Sequence, residues 1–488
     1  MILTNVLRGP AGAVAAFGVT AAICAGALLF SLSDASLQAR ASQGTTQPPV
    51  AAQNIFAVVR ALDAASRGVW PGFEASTIPV ALYDGENTVL LRHPSPPPEF
   101  SPMPGRPGVL VAKGRYPGVA GNSTREIGGV RTATVIARPA QPVEGAILAT
   151  VEEVFHVFWL ARHPSFRPNE LARYAYPLKD AENLRRLLAE DEALARALEA
   201  KPAGEAARWA AAAIEIRRAR TPSLTDDVRS FETALEMMEG TANYVARVAV
   251  GEPPARTAER LRASRPAESI RWRFYDTGAA LCLLLDRLSP GWQERAEQQP
   301  ALTIVDIMDT ALRAHHAEAG TFSGTDTAAF ATRAAADIAD LSGRQQRLRS
   351  EILERRGPRV VVEVEEGAEP FRVQRFDPIN LMVLDAGEIA HANFVSLSVP
   401  QGTVELTNPG FVRNTFGGTV ALSAPAGRHP LSDGVRRVTI AGIDSAPRVG
   451  RDAASVTVEA SGVRLALRGA EVRIDGELIR ITVKGPKR

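Results

Sequence analysis

Cysteine is almost missing from this chain of 488 residues: only Cys24 and Cys282 occur, one in an N-terminal apolar run, the other in a stretch patterned like a buried helix. Two such positions are not placed to pair, so a disulfide framework and a cysteine-based zinc knuckle are both excluded. Net charge is lacking too. Lys and Arg number 56 against 54 Asp and Glu, a balance of +2, and no basic stripe is interleaved with aromatics. Nothing here gathers nucleic acid over a distance, and we expect no nucleic-acid partner. Between Arg8 and Asp34 charge is absent altogether. The run Ala11 to Leu32 is long enough to cross a hydrocarbon core of ~30 Å as a helix. The alternative is a secretory signal, with Ala39-Arg40-Ala41 as a small-residue cleavage site. Both readings export the rest of the chain to the cell envelope, as a single-pass membrane protein or a secreted one.

What is present is ordinary globular composition, 45% hydrophobic and 23% charged, with length enough for two or three domains. Residues 1–34 read as a transmembrane helix or signal peptide and 35–50 as a Gln, Ser, Thr and Pro linker. From 51 to 357 the pattern is α+β. A helix over 54–65 leads to strand-like runs VALYD, TVLLRH, VLVAK and GVRTATVIA, which predict a small sheet. Helical periodicity then runs through 168–220, broken at Pro177 and Pro202 with Asp180 as N-cap, and through 256–265, 267–288, 303–318 and 326–355. The charges of 168–220 are expected on a solvated face. From 358 to 488 apolar residues alternate with period two in about eight short runs, which predicts an all-β sandwich or barrel. The expected fold class is multidomain α+β: an N-terminal membrane or signal helix, a sheet-plus-helix domain, and a C-terminal all-β domain. No signal of oligomeric state is visible.

Three strings carry chemistry. Ile147 to Leu160, ILATVEEVFHVFWL, is apolar almost all the way round a helical period, the mark of a helix buried on every side. Glu152, Glu153 and His156 nevertheless sit in it, with Glu152 and His156 one turn apart on a single stripe. Burying two carboxylates costs several kcal/mol each unless a cation or a set of donors answers them, so a divalent metal is implied. The second string, Phe231 to Arg247, places Glu232, Glu236 and Glu239 at i, i+4 and i+7, which predicts three acids along one helix face. The third, Arg271 to Trp292, puts Arg271, Tyr275 and Gly278 on one stripe. Glu232 and Glu236 are expected as surface acids, with Glu236 a candidate to orient a ligand. Asp286 is expected to cap a helix or pair with an arginine, and His93 and His163, each before a proline, are expected at the surface.

E-E-x-x-H, then E-G-x-A-x-Y, then R-x-x-x-Y-x-x-G resemble the motifs of a group of uncharacterised bacterial proteins similar to gluzincin zinc metallopeptidases. The resemblance implies a metal held by Glu152, His156 and Glu239, with Glu152 standing where that family has its first His. It implies Glu153 as the general base, Tyr275 on the oxyanion, Arg271 and Glu236 as supporting residues, and an edge strand beside the site receiving extended peptide or protein substrate. Two carboxylates and one imidazole are more anionic than two imidazoles and a carboxylate. That shifts preference from zinc toward manganese or iron and makes bound water less acidic. Two readings follow: a metal-dependent peptidase, or a peptidase-like scaffold or binding protein that holds no metal and has no activity.

Overall fold

The computed structural model describes residues 62–64, 66–119, 121–137, 142–354 and, between 357 and 485, all but 377–380, 386–387, 392–393, 408–418, 424–433, 442, 444–445, 452–454 and 461. The apolar run at 11–32, the linker and most of the helix expected at 54–65 lie outside the described residues. Among the described residues, no helix is long and apolar enough to cross a membrane. By internal contacts the chain divides into two units, with the boundary between Ile338 and Ala339.

The first unit opens with a six-stranded sheet in the order β3-β4-β2-β1-β6-β5. Its strands are β1 (Val80–Tyr83), β2 (Asn87–Leu91), β3 (Ser101–Pro102), β4 (Val109–Lys113), β5 (Ser123–Ile127) and β6 (Val130–Ile136). The β1/β2 turn is built by Asp84, whose carboxylate accepts from the amides of Glu86 and Asn87 at 2.8 and 2.6 Å. Four of these strands follow the apolar runs. β3 and β5 do not, since SP and STREI carry no alternation. β5 is an edge, paired only with β6 among the described residues.

Helix α1 (Val143–Arg162) lies against this sheet, which explains its continuous apolar surface. Its Phe155, Phe158 and Trp159 join Trp70, Phe73 and Trp292 in a buried aromatic cluster, with Trp70 edge-on to Phe155, Trp159 and Trp292 at 5.3–5.6 Å. His163 belongs to the same core. It is 1% exposed, stacks on Trp159 at 3.8 Å and meets the Glu297 carboxylate at 3.2 Å. His93 is also buried, bonded through Nε2 to the Ile127 carbonyl at 2.8 Å. The expectation that both histidines are surface residues is therefore corrected: each closes its element by turning inward to a polar partner.

The remaining helices are α2 (Ala181–Glu199), α3 (Ala203–Arg220), α4 (Asp226–Leu235), α5 (Thr241–Ala249), α6 (Pro254–Arg262), α7 (Ile270–Leu288), α8 (Trp292–Gln298), α9 (Ile304–Ala314) and α10 (Gly324–Glu354). Asp180 caps α2 by accepting from the amides of Glu182 and Asn183. Not all the charges of 168–220 face solvent. Glu190 is buried and paired with Arg217 at 2.5 Å and Arg273 at 3.3 Å. Fully buried Arg220 binds Glu232 at 2.6 and 2.8 Å, and Tyr176 donates to the same carboxylate at 2.5 Å. A second network surrounds Asp276, reached by Arg247 at 2.6 Å, Arg260 at 3.3 Å and Arg265. These Ala-rich helices pack closely enough to bury long side chains, and each buried charge is then met by its opposite.

The second unit takes the end of α10 and the strand-rich C-terminal region. A seven-stranded sheet runs in the order β18 (Ala470–Asp475), β19 (Leu478–Val483), β7 (Arg359–Val364), β14 (Arg437–Ala441), β13 (Thr419–Ser423), β10 (Glu388–His391) and β9 (Leu381–Asp385), and a six-stranded one in the order β15 (Arg448–Arg451), β16 (Ser455–Ala460), β17 (Val463–Arg468), β12 (Gly402–Thr407), β11 (Phe394–Val399) and β8 (Arg372–Phe376). Both are open among the described residues. Period-two alternation is plainest in β17 (Val463–Arg468), whose residues are buried and exposed in turn. Among the described residues of this region, the pairings are antiparallel except that of β7 with β19, which is parallel. From α10, Leu348 packs on Leu384, Ala390 and Ala441, and Gln345 donates to the Val383 carbonyl at 2.7 Å.

Candidate metal centre

Glu152 and His156 stand one turn apart on α1, on the side turned toward α5. Glu239 comes from the segment that joins α4 to α5, and that segment is a π-helical turn, Glu236–Gly240. One ligand atom from each of Glu152, His156 and Glu239 can be chosen so that all lie within 4.8 Å of one another. The His156 Nε2 is 3.1 Å from Glu239 Oε2. Two ligands at ~2.1 Å from a tetrahedral ion are separated by ~3.4 Å, so this pair already stands near the spacing an ion requires. His156 and Glu239 are buried and Glu152 and Glu153 half-buried.

The three acids of the second string do not share a face. A π turn winds about one residue more per turn than an α-helix, so the step from Glu236 to Glu239 departs from the 3.6-residue period. Glu232 goes to Arg220 and Tyr176. Glu236 takes Arg217 at 2.5 and 2.6 Å and the Thr277 hydroxyl at 2.5 Å. Only Glu239 reaches α1. Both Glu232 and Glu236 are buried, so the expectation of surface acids is corrected, and Glu236 has its bonds to Arg217 and Thr277 rather than to a member of the cluster.

The π turn also passes close to α7. A Cβ on Gly240 would lie 2.6 Å from the Gly278 Cα, and one on Gly278 would lie 2.7 Å from the Gly240 Cα and 2.9 Å from the Glu236 carbonyl oxygen. With no side chain on either glycine the two backbones touch, and α7 delivers Arg271 and Tyr275 to Glu239. Arg271 Nη2 donates to Glu239 Oε1 at 2.8 Å, its Nε donates to Glu170 at 3.0 Å, and its Nη1 donates to the Tyr275 hydroxyl. Tyr275 lies beside Glu239 and helps to lower its carboxyl pKa. Asp286, lower on α7, accepts from Tyr244, Trp292 and Gln293, all neutral, instead of pairing with an arginine.

Electrostatics follow from burial and this inventory. Burial would push the Glu239 carboxyl up, but Arg271 and His156 outweigh it and bring it down to about 2. Burial would hold His156 neutral, yet Glu239, Glu153 and Glu152 raise it to about 9. Glu153 is carried up to about 8 by burial, against the pull of His156, and Glu152 is raised for the same reason. Without an ion, protons therefore occupy the excess negative charge. A divalent cation would do the same task for Glu152, Glu153 and Glu239. The donor set fits a divalent ion in number and type, with the His156–Glu239 pair near the spacing and Glu152 within 4.8 Å of both. One feature is unlike most metal-bound histidines: His156 Nδ1 is buried with no hydrogen-bond partner to orient the ring.

Two residues had no signal strong enough to be singled out from sequence. Glu170, in a short 3-10 turn, Glu170–Ala175, anchors Arg271. Asn243, on α5 and four residues after Glu239, lies beside Glu152 and pulls its carboxyl pKa down against burial. Comparison with known proteins found no matching family model, no similar curated protein and no similar solved structure.

Proposed function

We propose that the chain is a metal-dependent hydrolase of peptides, exported through the apolar run at 11–32 and resembling the gluzincin peptidases in its site. The reading is carried by one observation: Glu152, His156 and Glu239, from two separate helical segments, converge within 4.8 Å in a largely buried place. When bound, the ion would polarise a carbonyl and lower the pKa of a coordinated water. Glu153, beside the ligands on α1, is the group to take a proton from that water. Tyr275 and Arg271 are the donors for negative charge developing on the carbonyl oxygen, Arg271 being fixed by Glu170 at its other end. Extended peptide is received along β5, the unpaired edge on the flank of the sheet that meets α1.

The second reading is a scaffold without metal. It is favoured by the Arg271–Glu239 ion pair, which already gives the third ligand a counter-charge. Metal analysis separates the two. Under the first, purified full-length protein holds one manganese, iron or zinc ion per chain, Glu239→Ala and His156→Ala abolish it, and Glu153→Gln keeps the ion but loses peptide hydrolysis by at least about 100-fold. A wild-type protein that takes up no divalent ion sinks the hydrolase and leaves the scaffold.

A further inference from the structure

The two sheets of the strand-rich unit end in four edges among the described residues, and three of them are blunted. β9 and β8 are bulged, with Leu384 and Gln374 skipped in the pairing with β10 and β11. β15 has only four residues, Gly450 among them. Bulges and short strands are how sheets keep an edge from pairing with another chain. β18 has neither protection. It runs six residues without proline, pairs with β19 in unbroken register, and carries Ile474, 51% exposed and the one exposed large apolar side chain among the described residues. Asp475 and Leu478 flank a two-residue turn at 476–477, which makes them a hydrogen-bonded pair of the hairpin. By alternation Arg473 and Glu471 also direct their N–H and C=O groups at β19, while those of Ala470, Val472 and Ile474 point away from it.

We propose that β18 pairs antiparallel with β18 of a second copy of this chain, joining two seven-stranded sheets into one across a two-fold axis at Val472. Charge selects the register. An axis at Arg473 would set Arg473 against itself and Glu471 against Asp475, and an axis at Glu471 would set that acid against itself. An axis at Ile474 would run off the strand into the turn and oppose Glu471 to Glu477, and one at Ala470 would run off the other end. Centred on Val472, Glu471 of each copy faces the partner's Arg473, and Ile474 lies opposite the partner's Ala470, which covers part of its exposed surface. The backbone agrees with the charges. In this register Ala470, Val472 and Ile474, whose polar groups point outward, meet only one another. The inference is independent of the metal centre, which belongs to the other unit.

The experiment measures the molar mass of full-length protein by sedimentation equilibrium in density-matched detergent, against the 52.1 kDa of one chain. Wild type should be a dimer at concentrations up to about 100 μM. Glu471→Arg and Arg473→Glu, each alone, bring like charges together at both symmetry-related contacts and should weaken association by at least about tenfold. Combined in one chain they exchange the two signs, and the dissociation constant should return to within about threefold of wild type, a rescue that damage to the fold would not allow. Val472→Pro removes an N–H that points away from β19, so the hairpin stays folded while the dimer is lost. Should that variant lower the melting temperature of the strand-rich unit, the charge exchange alone decides. A monomeric wild type, a dimer indifferent to the single charge variants, or a double variant as weak as the singles overturns the proposal.

Discussion

Buried guanidinium groups set the terms for single residues in this protein. Glu190 faces Arg217, Arg273 and Arg220, and Asp276 faces Arg247, Arg265 and Arg260. Burial alone would raise both carboxyls, but the arginines bring each down to about 2. Folding thus lowers their pKa, so their contribution is complete above the unfolded values of 4.5 and 3.8 and is lost as pH falls through about 2. Each is worth roughly 2 to 3 kcal/mol by that linkage. Urea midpoints measured between about pH 5 and pH 2 should fall steeply, and Glu190→Gln should flatten the slope. The same variant should cost about 3 to 5 kcal/mol near neutral pH, because three cations lose part of their answer. At this scale the sequence was informative where residues share one helix. Glu152 and His156 could be paired from their spacing alone. Asn243 could not, since a neutral amide in an apolar helix announces nothing until its neighbours are known.

Among elements, the π turn and the glycine crossing determine where Glu239 stands. Gly278→Ala forces a methyl against the Gly240 Cα and the Glu236 carbonyl, backbone atoms that have no side chain to swing away. It should cost about 3 kcal/mol and lower metal affinity, read by thermal melts and by Mn2+ titration. Gly204→Ala, near the start of α3 with nothing within 4 Å of the added atom, is the control. It should be neutral or stabilise by about 0.5 to 1 kcal/mol. The strong periodicities were legible: most helices after Pro168 and the alternating strands of the C-terminal region fall where the pattern puts them. β3 and β5 were not, nor β8 (Arg372–Phe376) and β15 (Arg448–Arg451), whose charged residues break the alternation. The π turn has no residue signature either. It arises from packing against α7, so the acids at i, i+4 and i+7 were assigned to one face by a period the segment does not keep.

At the level of the whole molecule, the candidate centre belongs entirely to the unit that ends at Ile338. Mass action then assigns the effect of an ion. At about 100 times its dissociation constant, a metal bound only by the folded state adds about 2.7 kcal/mol to the unit that holds it. Differential scanning calorimetry should show one transition moving upward with Mn2+ and returning in chelator, while the transition of the strand-rich unit stays in place. Two transitions moving together would mean that the units unfold as one. The helical unit is rich in neighbours close in sequence, whereas the strand-rich one joins residues far apart, so refolding of the latter should be the slower phase.

The parallel pairing of β7 with β19 joins strands from opposite ends of the strand-rich unit. Arg359 lies opposite Leu478, and Val364 opposite Val483. During synthesis β7 emerges from the ribosome long before the strand that must lie beside it. For that interval one flank of an all-apolar VVV segment can find no native neighbour on that side, and a chaperone or a stray strand could pair with it instead. A ribosome stalled before Leu478 would present this vulnerable intermediate for capture, and release of the last strand would withdraw it.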